Sequence, residues 1–308
     1  MKTGLRPTSR VVLCAVLVAA SIPMVAQAAK VNATLSYESG DYGSDYDYAG
    51  PRLDMNINPD GSNWYFDLGY RNRTHDSKQV YTRAEIQAAY RFRFDGGWIQ
   101  PSAKVRQDVT SYDSGSRLTN DIYSSETKYI FDLSDKWTLW GEAQFGLERQ
   151  EDKNVSGTVR NSDYLAWEVE PGIRYNLTAK QRLTLSYYNT GKRSDKGETW
   201  GLTDHTYNQQ ARLYYYWDTP IGLVISPYVR YALGYGETSA WYDSAYHDET
   251  KTQSKVSRYA IQLAYPLTDY LRIQAEYYIE DVEYKEGFTM GKEDSQVKYL
   301  KLGARVSF

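Results

Sequence analysis

Histidines are the side chains of this sequence best suited to acid–base catalysis near neutral pH. His205 follows Asp204 and His247 precedes Asp248, while His75 lies far from both in the chain. A catalytic pair needs its side chains within hydrogen-bond reach, whereas adjacent residues of a strand point to opposite faces. The sequence therefore predicts that neither pair is preorganised, and that all three histidines are solvated in or beside loops.

Other signatures of catalysis or cofactor binding do not occur in the sequence. Cys14 is the only cysteine, so thiol catalysis, disulfide bonds and cysteine metal sites are not expected in the chain that follows it. No metal-ligand spacing, nucleotide-binding loop or nucleophile elbow is found. We therefore expect no enzymatic activity, no metal and no cofactor.

The composition combines low hydropathy with many aromatic residues. Mean hydropathy is −0.66, yet aromatic residues make up 15% of the chain, with 31 Tyr and 8 Trp. A disordered polar chain would lack aromatics, and after residue 28 no apolar run reaches the roughly 18 residues of a transmembrane helix. Acidic residues outnumber basic ones by 39 to 36, so a nucleic-acid partner is not expected.

Residues 1–28 are typical of a cleaved export signal. A basic start ends at Arg10, an apolar stretch runs over residues 11–25, and residues 26–28 read Ala-Gln-Ala, which matches a small-x-small cleavage site. The sequence therefore predicts an exported chain of residues 29–308 that forms one domain.

Apolar residues recur at every second position in many segments of this exported chain. In residues 86–94 the even positions are Ile, Ala, Tyr, Phe and Phe, and their partners include Arg91 and Arg93. Residues 300–308 repeat the pattern around Arg305. Because alternate side chains of a strand point to opposite faces, each segment has one apolar and one polar face.

The number and length of these segments favour a membrane barrel over a soluble sheet. Segments of about ten residues, the length that a tilted strand needs to cross a bilayer, begin near residues 30, 51, 63, 79, 98, 122, 137, 163, 182, 205, 223, 254, 271 and 296. Short turns alternate with long loops, which lie near 39–50, 72–78, 110–121, 150–162, 192–204, 236–253 and 284–295. This alternation predicts a transmembrane antiparallel up-and-down β-barrel of about fourteen strands, with both termini at the short-turn, periplasmic end.

Charged residues on the polar faces are expected to line the lumen, because Arg or Lys facing lipid at mid-bilayer would cost about 2–4 kcal/mol. The predicted lining comprises Arg52, Asp54, Asp67, Arg71, Glu85, Arg91, Arg93, Lys104, Arg106, Glu126, Asp132, Glu142, Glu168, Glu170, Arg174, Arg182, Arg212, Arg230, Arg258, Arg272, Glu276 and Arg305. These charges either filter and hydrogen-bond passing solutes or simply pair with one another across the strands.

Aromatic residues suggest two further roles. Inward tyrosines could stack against sugar rings, and the candidates are Tyr188, Tyr214, Tyr216, Tyr228 and Tyr278. Tryptophans beside short turns predict an interfacial girdle at the periplasmic rim, and these are Trp64, Trp98, Trp137 and Trp217.

The chain resembles the outer membrane protein G family of monomeric porins. The resemblance covers the exported chain in length, strand number and loop rhythm, and it extends locally to residues 276–280 and 302–308. The terminal Phe308 also resembles the assembly signal of outer-membrane barrels in general. Oligogalacturonate-specific porins are similar in texture, with twelve strands and a more basic lumen, and they remain the alternative at this stage.

The resemblance implies a monomeric channel in the bacterial outer membrane for the diffusion of sugars and ions. It implies as partners the lipid and lipopolysaccharide of that membrane, small hydrophilic solutes, and the barrel-assembly machinery through Phe308. The family's pH gate uses a histidine pair, but the matching positions here are Tyr284 and a residue near Ser254, so that switch is not expected. A barrel that binds or adheres without transport is the alternative of another class.

Overall fold

The computed structural model describes residues 29–43, 46–194, 203–241 and 249–308. The predicted export signal and His247 lie outside the described residues. No helix in the described ranges is long and apolar enough to span a membrane.

Sixteen β-strand segments follow one another along the chain. They are β1 (Ala29–Asp41), β2 (Tyr48–Pro59), β3 (Trp64–His75), β4 (Val80–Tyr90), β5 (Phe92–Phe94), β6 (Gly97–Ser111), β7 (Arg117–Asp132), β8 (Trp137–Lys153), β9 (Val159–Thr178), β10 (Gln181–Ser194), β11 (Thr203–Asp218), β12 (Val224–Ala232), β13 (Gly236–Trp241), β14 (Glu249–Pro266), β15 (Leu271–Tyr284) and β16 (Ser295–Ser307). Arg91 interrupts the strand formed by β4 and β5, and residues 233–235 interrupt the strand formed by β12 and β13. The segments therefore make fourteen strands, as the sequence predicts.

Hydrogen bonds join every strand to its neighbours in sequence in the antiparallel sense, and they close the sheet on itself. β1 pairs with β16 from Asn32 opposite Ser307 to Asp41 opposite Lys298. Beyond that ladder, the Phe308 N–H donates to the Val31 carbonyl at 2.9 Å, and the Val31 N–H donates to the Phe308 carbonyl at 3.1 Å. The result is a closed barrel without a free sheet edge.

Short turns lie where the sequence predicts them. Gly61 and Gly96 have φ angles of 67° and 79°, in the left-handed region that suits a tight turn with glycine. The first strand begins at this short-turn rim and the last strand ends there, because the number of strands is even.

The long loops are shorter than the sequence predicts. Residues 110–121 and 150–162 were expected to be loops, but β7 begins at Arg117, which pairs with Lys153 of β8. Residues 236–253 were also expected to be a loop, yet Gly236–Trp241 and the start of β14 form a paired ladder. These segments are polar because they contact water, and a polar composition does not prevent backbone pairing. The hairpins therefore continue beyond the predicted strand ends.

Candidate functional site

Contacts between strands that are not neighbours identify the inner face of the barrel. The Arg73 Nε of β3 donates to Glu38 Oε1 of β1 at 2.8 Å, and the Lys192 Nζ of β10 donates to Glu148 Oε1 of β8 at 2.7 Å. Each contact skips an intervening strand, which requires side chains that converge on the concave side of the sheet. The opposite face exposes apolar side chains such as Leu147, 62% exposed. The barrel therefore has a polar inner wall and an apolar outer wall.

The strand registers place all of the predicted lining charges on this inner face. Arg52 lies opposite Arg71, and Arg71 lies opposite Arg83; Arg212 lies opposite Arg230, and Arg230 lies opposite Arg258. In the β8–β9 ladder, Glu142 lies opposite Glu170. Side chains of like charge are therefore neighbours across the strands, and each of these charges needs a partner of opposite charge from another position on the wall.

Glu38 is the centre of the first compensating cluster. Its side chain is fully buried, and it lies 3.1 Å from the Arg71 Nε and 2.8 Å from the Arg73 Nε. Its second oxygen accepts a hydrogen bond from the Tyr299 hydroxyl at 2.8 Å. One carboxylate therefore balances two arginines and links β1, β3 and β16. Glu38 was not among the lining residues predicted from the sequence, although it alternates with the apolar Tyr37, and this pattern indicates the inner face for Glu38.

Glu170 of β9 is the centre of a second cluster, on strands other than those of the first cluster. It accepts hydrogen bonds from the Ser186 hydroxyl at 2.6 Å, from Arg212 Nη1 at 2.5 Å, and from the Tyr214 hydroxyl at 3.5 Å. Glu170 and Arg212 are both buried. The Glu170 carboxylate thus accepts from three donors on two other strands, β10 and β11.

Two further glutamates complete this pattern of inner-wall pairing. Glu276 lies 2.6 Å from the Lys301 Nζ and accepts a hydrogen bond from the Tyr228 hydroxyl at 2.9 Å. Glu126 lies 3.2 Å from the Lys104 Nζ and 2.9 Å from that of Lys128. Each carboxylate again contacts donors from more than one strand.

A separate set of inner-wall arginines has no carboxylate within 4.0 Å among the described residues. These are Arg91, Arg93, Arg174, Arg182, Arg230, Arg272 and Arg305. All but Arg230 lie close to the short-turn rim.

The five candidate stacking tyrosines lie on the inner wall, but arginines already lie over four of them, with Arg230 over Tyr228 the longest contact at 5.1 Å. The guanidinium carbon lies 3.2 Å from the ring centroid for Arg212 over Tyr188, 4.0 Å for Arg182 over Tyr216, and 3.9 Å for Arg258 over Tyr278. Tyr214 and Tyr228 pack against each other with centroids 5.5 Å apart. These contacts hold the rings in place and leave less aromatic surface for a sugar.

Three of the four tryptophans expected in the girdle lie on the outer face, and Trp98 does not. Trp64 stacks with Phe66, and Trp137 packs against Tyr175, all on the apolar wall; Trp217 lies opposite Ile225 on the same wall. The Trp98 ring is instead covered by the Arg91 guanidinium, 4.2 Å from its centroid. Proximity to a turn does not fix the face of a residue, because the register of the strand decides it.

The structure also corrects the expectation for His205. Its Nδ1 lies 2.9 Å from Asp204 Oδ2, and its Nε2 lies 2.8 Å from Glu237 Oε1. A register shift in the β11–β13 ladder between Thr203 and His205 brings the adjacent side chains together. No group of three or more His, Cys, Asp or Glu in the described ranges is arranged to hold a metal ion.

The His205 contact lies beyond the membrane-spanning part of the barrel. β12 has nine residues, which is about the length that crosses a bilayer, and β13 continues past it with its partners on β11 and β14. Burial lowers the pKa of His205, but hydrogen bonds from the imidazole to Asp204 and Glu237 outweigh this effect, so the pKa is raised above its ordinary value.

The two positions that the family resemblance matched to a histidine pair face each other. Ser254 lies opposite Tyr284 in the β14–β15 ladder. A hydroxyl and a phenol at these positions cannot act as imidazoles, so this chain lacks the groups of that proton switch there.

Cavities follow the inner wall between these clusters. The larger one, about 460 Å³, is lined by residues that include Trp140, Arg174, Arg182, Tyr214 and Glu276. Another, about 320 Å³, lies against Asn32, Asp54, Asp67, Glu85 and Arg305. Trp140 was not singled out in the sequence, although it has the same parity along β8 as Glu142. Polar groups bound both spaces, which suits hydrated solutes.

Comparison with known proteins supports the architecture. No family model matches the chain, and no curated protein matches it. Among solved structures, the CymD monoaromatic hydrocarbon channel superposes with a TM-score of 0.54 at 8% identity, over 91% of this chain and 88% of that one. The NanC porin gives 0.41 at 11% identity over 90% and 100%, and the KdgM porin in complex with oligogalacturonate gives 0.40 at 13% over 90% and 99%.

A closed antiparallel sheet of fourteen strands, polar inside and apolar outside, defines this chain as a transmembrane β-barrel of the outer-membrane type.

Proposed function

We propose that this chain is a channel of the bacterial outer membrane for the passive diffusion of small hydrophilic solutes, including sugars and ions. The proposal rests on the difference in polarity between the outer wall and the inner wall of the barrel. Apolar side chains such as Leu35 and Leu147 cover the outside, where lipid can solvate them, while the inner wall is lined by ion pairs and amides. Water in a lumen can hydrate such a lining, whereas lipid cannot.

We further propose that the chain is a monomeric porin similar to the outer membrane protein G family. The fourteen strands support this assignment over the twelve of oligogalacturonate-specific porins. Its partners would be membrane lipid and lipopolysaccharide, the solutes themselves, and the assembly machinery that reads Phe308. Transport without catalysis is the corresponding proposal for activity, because both nitrogens of His205 are engaged by carboxylates and the ring therefore has no free nitrogen to act as a base.

Reconstitution into planar bilayers tests the proposal directly. Purified protein should give large ohmic current steps that open and close singly, and liposomes that contain it should swell in maltose. Steps that occur in coupled groups of three would contradict the monomer. A folded barrel that gives neither conductance nor swelling would contradict the channel and favour an adhesion barrel.

A further inference from the structure

Charge is distributed unevenly along the inner wall. Away from the short turns, arginines of the inner wall other than Arg230 have carboxylate partners, for example Arg52 with Asp54, Arg83 with Asp108, and Arg258 with Glu280. Within five residues of the short turns, the inner face carries Lys30, Arg91, Arg93, Lys128, Arg174, Arg182, Arg272 and Arg305, against Asp67, Asp132 and Asp218. Of these cations, Lys128 has a carboxylate partner, and Asp132 accepts from Thr138. The inner face of the short-turn mouth therefore carries more cations than carboxylates.

Within this mouth, the cavity of about 460 Å³ brings two of these arginines together with aromatic side chains. Arg182 of β10 pairs with Asn176 of β9, two residues from Arg174, so both guanidinium groups are on neighbouring strands of one wall. The Arg182 guanidinium lies over the Tyr216 ring. This contact orients the plane of the guanidinium group and leaves the N–H groups at its edge able to donate to a solute. The cavity's own acid, Glu276, is already paired with Lys301.

Two N–H groups of the cavity lining are buried without a hydrogen-bond acceptor in the described part of the protein. They are Arg174 Nε and Trp140 Nε1. A buried donor without an acceptor is costly, and two nearby guanidinium groups repel each other. Both N–H groups are enclosed by protein, so a solute is bound instead by the terminal nitrogens of the two guanidinium groups. Their mutual repulsion is relieved by a ligand with acceptor oxygens and negative charge.

We propose that the guanidinium groups of Arg174 and Arg182, beside the Trp140 ring, form a binding site for the acid group of an anionic solute, a carboxylate or a phosphate ester of a small polar molecule. This inference rests on the proposed channel function, because the solute reaches the site through the lumen. Planar guanidinium groups match the paired oxygens of either acid, and Tyr214 and Tyr216 provide a surface for the rest of the solute. The site would make passage selective for anions.

Single-channel block and calorimetry test this site with a uronic acid disaccharide, glucose 6-phosphate and maltose as probes. In 1 M KCl, where charges farther than about 3 Å apart are screened, either anion should block the wild-type channel, more readily from the short-turn side, and maltose should not. R174Q/R182Q should weaken block by about tenfold or more, and W140F should weaken it less. The acid that blocks better identifies the source of the anionic group.

The control is R272Q, which removes one arginine charge from the same rim but lies outside the cavity. Its block should stay within about twofold of wild type at this salt concentration. Equal loss in R272Q and R174Q/R182Q would show a diffuse charge effect and overturn the site, as would wild-type channels that neither anion blocks. Calorimetric titration of the folded protein in detergent measures anion affinity without conductance, so a barrel that does not conduct can still support or refute the site.

Discussion

At the scale of single residues, the inner wall is organised by carboxylates that each serve several donors. Glu38 contacts Arg71, Arg73 and Tyr299, and Glu170 contacts Arg212 and Ser186. Charge-assisted hydrogen bonds of this kind are stronger than neutral ones, and removing one partner leaves an uncompensated charge. The clusters therefore order the side chains that border the lumen, and they tie together strands that do not share a backbone ladder.

His205 gives a prediction at this scale. Because its pKa is raised, the protonated ring stabilises the folded state; this contribution is complete below the ordinary pKa of about 6.5 and is lost as the pH rises through the raised value. E237Q removes one of the two carboxylate partners, so we expect the pKa of His205 to fall. NMR titration of the imidazole Cε1–H measures it.

The control for this titration is D113N, which removes an exposed carboxylate that contacts Lys78 between the turns after β3 and β6. It should leave the His205 titration unchanged. A wild-type His205 that titrates at or below about 6.5, or an E237Q variant that titrates like wild type, would show that the two contacts do not hold the proton.

At the scale of elements, close packing of neighbouring strands restricts which residues the wall accepts. Gly50 of β2 lies against β3, and a Cβ atom built on it would be 1.9 Å from the Asn72 carbonyl oxygen. A backbone atom cannot move aside as a flexible side chain can. The β2–β3 hairpin therefore depends on glycine at this position.

Substitution of this glycine should destabilise the barrel. We expect G50A to lower the free energy of unfolding by about 1–3 kcal/mol, measured by urea unfolding in lipid vesicles with tryptophan fluorescence. The matched variant is G234A, because a Cβ at Gly234 meets no atom closer than the Gln209 Nε2 at 3.6 Å, and it should change stability by no more than about 0.5 kcal/mol. Equal stabilities of the two variants would contradict the close approach.

At the scale of the whole molecule, the closure of the barrel depends on the last residue. The backbone of Phe308 forms two hydrogen bonds with Val31, and its side chain is 56% exposed on the outer wall. The backbone of residue 308 thus contributes to closure, while the ring is free to contact lipid or another protein.

Two variants separate these roles. F308A keeps both backbone hydrogen bonds, so it should refold in vitro like wild type and yet assemble poorly in cells, where the exposed ring is proposed to be read. Deletion of Phe308 should impair both. Heat-modified migration on gels measures folded barrel in each case. Normal assembly of F308A in cells would contradict the proposed signal.

Alternation along the chain was sufficient to predict the fold. The alternation of polar and apolar residues, as around Arg91, Arg174 and Arg305, can be seen in a short stretch of sequence. Because alternate side chains point to opposite faces of a strand, it leaves one apolar face that can contact lipid. Strand number and the positions of the short turns follow from the same pattern. For this reason the fourteen strands, and the face on which each lining residue lies, were predictable.

Contacts between distant parts of the chain were decided by the tertiary structure alone. The pairing of Glu38 with Arg73 and the contact of His205 with Glu237 depend on register, bulges and barrel curvature. Neither of these leaves a signal at fixed spacing in the sequence, because each arises only when strands far apart in the chain converge inside a closed wall.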